Sequence, residues 1–249
     1  MAPGAGLLHQ PADHSRAQLA LQASLPRVRP EPLPQLIPDP PSREALDAAL
    51  HRYLDMVLER NQTTNLTAIR DPAMAWERLI LASLTLLDAY DFEGMERVVD
   101  IGSGAGLPGI PLKLALPGLR LTLVESDLRK AEFLQDVVGA MALEDVSVEA
   151  RRAEEVGRDP EHREAYDVAV TRAAAKAPVA AEYCLPLLRN GGVLLAQARM
   201  ADWKAAGRAL GHLGGRISGE AGGVVIVAKV RDTRAEYPRR VGVPAKKPL

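Results

Sequence analysis

The stretch VVDIGSGAGLPGIPL, at positions 98–112, decides the fold of this chain. Its apolar start, residues 98–101, predicts a buried strand, and residues 107–116 predict a helix. The turn between them contains three glycines at alternate positions: Gly102, Gly104 and Gly106. Glycine suits this turn because the turn is tight and because a ligand can then approach the backbone closely. The stretch therefore predicts a nucleotide-type binding site at the end of a strand.

Short apolar runs and helical patterns alternate through the chain that follows. Further strands are predicted at 119–124, 146–149, 168–171 and 193–196, and further helices at 128–141 and 178–188. A late antiparallel hairpin is predicted with arms at 216–219 and 224–229. Strands separated by helices imply crossover connections and a mainly parallel sheet. The predicted fold class is α/β, Rossmann-like, with a mainly parallel seven-stranded sheet.

The chain divides into four predicted segments: a proline-rich leader (1–41), an N-terminal helical cap (42–95), a ligand-binding core (96–230) and a basic C-terminal tail (231–249). The leader holds nine of the nineteen prolines, and we expect it to be disordered because it can bury little apolar surface. In the cap, Ser42 is predicted to begin a first helix. Asp71 followed by Pro72 is predicted to begin a second, which runs to about residue 88.

The composition excludes several classes of protein. The apolar share of 47% and the charged share of 25% are ordinary for a globular domain. No apolar run reaches the length of about 18 residues that a membrane span needs, and the N-terminus lacks the pattern of a signal peptide. The single cysteine, Cys184, excludes an internal disulfide and a cysteine-rich metal site, and no bound metal is expected. We expect a cytoplasmic monomer with neither a membrane nor DNA as a partner.

Two acidic residues flank the glycine turn and indicate what it binds. Glu125 ends the second predicted strand, where a carboxylate can accept hydrogen bonds from ribose hydroxyls. Residues 104–109 match G-x-G-x-x-G, a pattern of dinucleotide-binding oxidoreductases. Asp100 before the turn and the alternate glycines are instead typical of S-adenosylmethionine-dependent methyltransferases, and no histidine follows a predicted strand as a proton donor would. We therefore favour a class I methyltransferase with S-adenosylmethionine as cofactor, and keep an NAD(P)-dependent oxidoreductase as the alternative.

The acceptor of the methyl group is narrowed by what the chain lacks. Methylation of a pyrimidine carbon needs a cysteine nucleophile, but Cys184 lies within a predicted helix, where burial is expected. Methylation of an exocyclic amine commonly uses an Asn/Asp-Pro-Pro-aromatic loop, and residues 171–173 after the fourth predicted strand read Thr-Arg-Ala. Ring nitrogen 7 of guanine already carries a free lone pair, so its methylation requires mainly alignment. That acceptor fits the sequence.

Five motifs together resemble one family, the small-subunit ribosomal RNA guanine-N7 methyltransferases, also called RsmG or GidB. They are NLTAIR at 65–70, the glycine motif at 100–111, RAEE at 152–155, TRA at 171–173, and the ending YPRR…GVPAKKPL at 237–249. The resemblance covers the chain from about Ser42 to Leu249. It implies S-adenosylmethionine as cofactor and a guanosine of small-subunit ribosomal RNA, free or in the ribosomal subunit, as substrate.

The resemblance also implies roles for single residues. Those of the S-adenosylmethionine site are Gly102, Gly104, Gly106 and Leu107 in the turn, Glu125 at the ribose, Ala153 and Glu154 at the adenine, and Arg172, which closes the pocket and positions the reactants. In the tail, four basic residues are predicted to contact RNA phosphates: Arg239, Arg240, Lys246 and Lys247.

The chain departs from the family pattern at three positions. Leu79 and Ala82 stand where the family usually has histidine and aspartate, and Gln197 stands where it usually has lysine. The loss of these polar and charged groups motivates a second alternative, a catalytically weak nucleotide- or RNA-binding module.

Overall fold

Seven strands form one sheet in the order β3-β2-β1-β4-β5-β7-β6. The computed structural model describes residues 41–172 and 174–249, so the predicted leader lies outside the described residues except for its last position. The strands are β1 (Arg97–Ile101), β2 (Arg120–Val124), β3 (Val146–Glu149), β4 (Tyr166–Arg172), β5 (Leu188–Gln197), β6 (Gly215–Ala221) and β7 (Val224–Lys229). β1 to β5 are mutually parallel, and β7 pairs antiparallel with both β5 and β6. The predicted fold class, including the late antiparallel hairpin, is confirmed.

Helices cover both faces of this sheet. They are α1 (Arg43–Arg60), α2 (Pro72–Ala75), a π-helix (Trp76–Leu81), α3 (Ala82–Leu84), α4 (Leu86–Ala89), α5 (Gly109–Ala115), α6 (Leu128–Ala140), α7 (Ala153–Val156), α8 (Ala177–Cys184), a 3₁₀ turn (Leu185–Leu187), α9 (Met200–Ala205), α10 (Gly207–Leu213) and α11 (Val243–Lys246). No helix of the described part of the chain is long and apolar enough to cross a membrane.

Neighbouring residues of a strand pack into different cores because side chains alternate between the faces of a sheet. In β1, Val98 belongs to a cluster with α1, α5 and α6, and Val99 belongs to a second cluster with α8 and α10. The cap shares the first of these clusters, since Tyr53 and Val57 of α1 are buried in it. The helical cap is therefore held against the sheet by one continuous apolar core.

The predicted starts of the two cap helices are confirmed. The Ser42 hydroxyl accepts a hydrogen bond from the Ala45 N–H at 3.2 Å, and the Asp71 carboxylate accepts one from the Met74 N–H at 2.8 Å. The second helix differs from the prediction in its interior, where a π-helix interrupts the α-helical pattern. A π-helix is uncommon and often marks a functional site, because its wider turn leaves carbonyl oxygens available to other groups.

Two further regions differ from the prediction. Helices α9 and α10, between β5 and β6, were not predicted. Strand β5 begins at Leu188, five residues before the predicted start at residue 193, and the added residues include an irregularity opposite β4. Gly192 fits there because a Cβ on it would lie 2.8 Å from the Asp167 carbonyl oxygen.

Candidate functional site

A cavity of about 770 Å³ opens at the carboxyl ends of β1, β2 and β4. Those strands end at Ile101, Val124 and Arg172, and all three residues line it. The order of the strands reverses between β1 and β4, which is where open α/β sheets bind ligands. The cavity also falls within the range of about 300–1,000 Å³ that is usual for small-molecule sites.

The glycine turn forms one wall of the cavity. Gly102 and Gly104 both line it and have positive φ values of +71° and +58°. A Cβ on Gly102 would lie 2.7 Å from the Cβ of Ala174, so that position has no room for a side chain. The space beside Gly104 is open, with only the Gly102 carbonyl oxygen within 4 Å of an added Cβ. Gly104 is therefore where a ligand can come closest to the backbone.

Asp100 holds the turn from behind and does not line the cavity. Its Oδ2 atom accepts a hydrogen bond from the Gly109 N–H at 2.9 Å, and a Cβ on Gly109 would lie 2.8 Å from the same oxygen. Burial raises the pKa of Asp100 to about 7, and its Oδ1 atom is buried without a hydrogen-bond partner. Asp100 thus fixes the start of α5 against the end of β1.

Glu125 lies beside the turn with its carboxylate held in place by the backbone. Its Oε2 atom accepts from the Gly104 N–H at 2.9 Å, and its Oε1 atom accepts from the Asp127 N–H at 2.8 Å. A carboxylate oxygen can accept more than one hydrogen bond, so both remain able to receive a ligand hydroxyl. This geometry suits recognition of a ribose.

At the other end of the cavity, Ala153 and Glu154 begin α7. Glu154 is only 2% exposed, and its Oε1 atom accepts from the N–H of Gly242, in the tail, at 2.9 Å. Burial and the neighbouring Glu154 raise the pKa of Tyr183 to about 12. This end of the cavity is therefore built partly from the C-terminal tail, for which the sequence alone predicts RNA contacts.

Arg172 connects the sheet to the cap. Its guanidinium donates to the main-chain carbonyls of Arg78 at 2.5 Å and Leu79 at 3.4 Å, both within the π-helix. Burial lowers the pKa of Arg172, while nearby Tyr53 raises it. Tyr53 is itself buried and donates to the carbonyl of Ala105, in the glycine turn, at 2.7 Å. Arg172 lines the cavity and also connects the end of β4 to the π-helix of the cap, and its role in closing the pocket stays a prediction.

Two of the three departures from the family pattern, Ala82 and Gln197, meet at one contact. The Gln197 Nε2 atom, at the end of β5, donates to the carbonyl of Ala82 and, at 3.3 Å, to the hydroxyl of Thr85. Leu79 is 4% exposed and packs in the apolar core. Gln197 therefore keeps a direct connection between the sheet and the cap without any charge.

Not every predicted cofactor residue reaches the cavity. Gly106 and Leu107 are not among its lining residues. A Cβ on Gly106 would lie 2.4 Å from Ile110 Cδ1, and Leu107 is buried in the core, so both shape the turn from inside. Conversely, Lys130 and Tyr183 line the cavity and were missed, because no motif marks them.

The four basic tail residues predicted to contact RNA do not lie on one surface. Arg239 forms an ion pair with the fully buried Glu182, with an Nη2–Oε2 distance of 2.6 Å. Arg240, Lys246 and Lys247 are exposed, and Lys246 also lines the cavity. Arg239 is therefore largely engaged within the protein, with 24% of its side chain exposed, and the other three have the more accessible side chains.

Comparisons with known proteins agree with this architecture. A family model described as GidB, rRNA small subunit methyltransferase G, matches residues 46–205. Curated relatives named ribosomal RNA small subunit methyltransferase G include one from Pelotomaculum thermopropionicum, 41% identical over 79% of this chain and 88% of the relative. Those from Chloroflexus aggregans and Roseiflexus sp. are 43% and 44% identical, over 84% and 80% of this chain and 92% and 89% of their own lengths. The chain belongs to the GidB family, rRNA small subunit methyltransferase G.

Proposed function

We propose that this methyltransferase binds S-adenosylmethionine in the cavity beside the glycine turn and methylates ring nitrogen 7 of a guanosine in small-subunit ribosomal RNA. The observation that carries the proposal is the open approach to Gly104 next to a Glu125 carboxylate that the backbone already orients. Membership of the family removes the oxidoreductase alternative. The nitrogen acceptor and the residue roles are inferences from the geometry and from the family resemblance.

The lining residues fit an adenine nucleoside with a charged sulfonium tail. Glu125 can accept from ribose hydroxyls, and Ala153 with Glu154 offers a small apolar surface and a polar group at the far end. The chemistry that S-adenosylmethionine supplies when bound is an electrophilic methyl group. Gly104 allows the backbone to pass close to the ligand, where any side chain would occupy its space.

The described lining residues favour catalysis by positioning over general base catalysis. The two carboxylates that line the cavity, those of Glu125 and Glu154, each accept hydrogen bonds from backbone N–H groups, which fix their orientation. Methylation of guanine N7 removes no proton, so the reaction needs no base. What this chain must do is orient the base and exclude water. We assign the positioning role to Arg172, which lines the cavity and, like Gln197, holds the cap against the end of the sheet.

RNA is the partner that the family name supports, and exposed basic residues are available to contact it. Arg240 and Lys247 lie in the tail beyond the ion pair of Arg239. Phosphate contacts position RNA without reading its sequence, and they weaken as salt rises. We expect Arg240→Ala to lower the salt dependence of RNA binding by about 0.7–0.9 in log–log slope. An unchanged slope in filter-binding titrations would exclude Arg240 as a phosphate contact.

The second alternative, a catalytically weak binding module, is less well supported. It rests on Leu79, Ala82 and Gln197, yet Gln197 still connects the sheet with the cap. A cytoplasmic, monomeric enzyme that binds neither membrane nor DNA remains our prediction.

The test is methyl transfer from labelled S-adenosylmethionine to small subunits that lack the modification and, separately, to the deproteinised RNA. Nucleoside analysis should recover the label as 7-methylguanosine from one position. Label in another nucleoside would overturn the assigned acceptor. Cofactor binding without any incorporation would leave the binding module as the function.

A further inference from the structure

The last thirteen residues, 237–249, fold back across the domain and are called the C-terminal strap. Three of them, Ala245, Lys246 and Pro248, line the cavity beside Ala153 and Glu154. The strap lies beyond residue 205, where the match to the family model ends.

An ion pair anchors the start of the strap. Glu182, on α8, is fully buried, and Arg239 satisfies both of its carboxylate oxygens. The Arg239 backbone N–H donates to the same carboxylate at 2.8 Å. A buried carboxylate is stable only while it is paired, so α8 and the strap are held at a fixed separation.

Carbonyl groups of the strap are held as well. Arg158 donates to the Pro238 carbonyl at 2.7 Å, and Arg163 donates to the Tyr237 carbonyl at 2.7 Å. Gly157 allows this close approach, because a Cβ on it would lie 2.9 Å from Pro238 Cγ. The strap is thus docked by side chains and by shape.

The docked strap reaches the cavity through Glu154. The Gly242 N–H donates to Glu154 Oε1, and from there the chain enters α11, whose Ala245 and Lys246 lie at the cavity. The same carboxylate therefore belongs to the cavity and to the attachment of the strap.

We propose that the strap is a wall of the cofactor site, that Lys246 contacts the bound cofactor, and that Glu182 and Arg239 are positioning residues for it. This inference rests on the proposed cofactor cavity. A wall held by an ion pair slows the escape of the ligand, so loosening the anchor raises the dissociation rate more than it lowers the association rate.

The test is stopped-flow and calorimetric binding of S-adenosylmethionine to Arg239→Ala, with Arg234→Ala as the matched control. Arg234 is exposed, lies just before the strap, and forms an ion pair with the exposed Glu236. We expect Arg239→Ala to raise Kd about tenfold, mainly through the dissociation rate, and Arg234→Ala to leave Kd unchanged. Arg239→Lys, which keeps the charge, should restore part of the affinity.

A second pair of variants keeps the test informative if the loss of the ion pair destabilises the protein. Lys246→Ala removes a lining side chain without touching the anchor, and Lys247→Ala removes its exposed neighbour. Of these two variants, Lys246→Ala should raise the Kd of S-adenosylmethionine and Lys247→Ala should not. The strap proposal is overturned if hydrogen exchange shows residues 242–248 released in Arg239→Ala while Kd stays at the wild-type value. If the Gly104 variant described below also binds normally, the cavity itself is not the cofactor site.

Discussion

The glycine turn after β1 and the contact of the cap with the ends of β4 and β5 lie at the same edge of the sheet, but they are built from different groups. The turn uses backbone conformation and backbone N–H groups, with Gly104 donating to Glu125 and Gly109 donating to Asp100. The contact with the cap uses side chains, Arg172 and Gln197, that donate to main-chain carbonyls.

This difference decides how each region tolerates substitution. Positive φ values at Gly102 and Gly104 cannot be met by other residues without strain, so the turn retains its motif. A carbonyl oxygen accepts from any donor that reaches it, so glutamine at position 197 can make the contact with the cap in place of the lysine usual in the family. We therefore expect substitutions in the turn to affect the cofactor, and those in the cap contact to affect the RNA.

The largest effect is expected for Gly104→Val. The branched side chain would be strained at φ +58° and would fill the space that the ligand needs. Calorimetry should show at least a 100-fold loss of S-adenosylmethionine affinity, about 2.7 kcal/mol. Gly191→Val is the control, because it carries similar strain at φ +84° but lies at the opposite edge of the sheet. Equal affinities for the two variants would show that the turn does not contact the cofactor.

Arg172→Lys should have the next largest effect. Lysine keeps the charge but cannot hold the Arg78 and Leu79 carbonyls together, so the cap loses its alignment. We expect kcat for RNA methylation to fall on the order of 100-fold. Because Arg172 also lines the cavity, the Kd of S-adenosylmethionine should rise too, but less than in Gly104→Val. Arg189→Lys, on an exposed ion pair, is the control. If Arg172→Lys instead loses cofactor affinity and keeps kcat, the cap contact serves the cofactor and not the RNA.

Asp100→Asn tests the buried carboxyl behind the glycine turn through the pH dependence of stability. Because the folded pKa of Asp100 is raised from 3.8 to about 7, the folded protein holds this proton where the unfolded chain has released it. The carboxyl therefore costs stability increasingly as pH rises from about 4 to 7, and the cost is constant above that. Chemical denaturation should show the free energy of unfolding of the variant rising, relative to wild type, across this window. A pH-independent difference would mean that Asp100 titrates normally.

Gln197→Ala should have the smallest effect. It removes the hydrogen bonds to Ala82 and Thr85, worth about 1 kcal/mol of stability, and we expect KM for RNA to rise about fivefold with cofactor affinity unchanged. Gln135→Ala, on the exposed face of α6, is the control. A loss of S-adenosylmethionine affinity with an unchanged KM for RNA would contradict the expectation that the cap contact affects the RNA.

The features that the sequence predicts are the local ones. The strands follow from apolar runs, and the cap helices follow from Ser42 and Asp71, whose side chains bond to backbone only three residues away. Glu125 is predictable because it ends the strand next to the glycine turn, and its place in the cavity follows from the parallel order of β1 and β2.

The features that escape prediction depend on contacts between distant parts of the chain. α9 and α10 contain short, glycine-interrupted patterns, and Trp203 and Leu210 become buried only when they pack on the sheet. Arg239 carries the same charge as Arg240, and only the position of Glu182, 57 residues earlier, separates an internal ion pair from an exposed cation. The π-helix likewise has no local sequence pattern that predicts it. Its distinguishing contact is the hydrogen bond that its Leu79 carbonyl accepts from Arg172, 93 residues later.

A crystal structure with S-adenosylhomocysteine bound tests the central claim most directly. The account predicts the ligand in the 770 Å³ cavity, its ribose hydroxyls on Glu125, the backbone of Gly104 in contact with it, and Lys246 of the strap over its far end. A ligand held at the cap contact between Arg172 and Gln197, with the glycine turn empty, would contradict it.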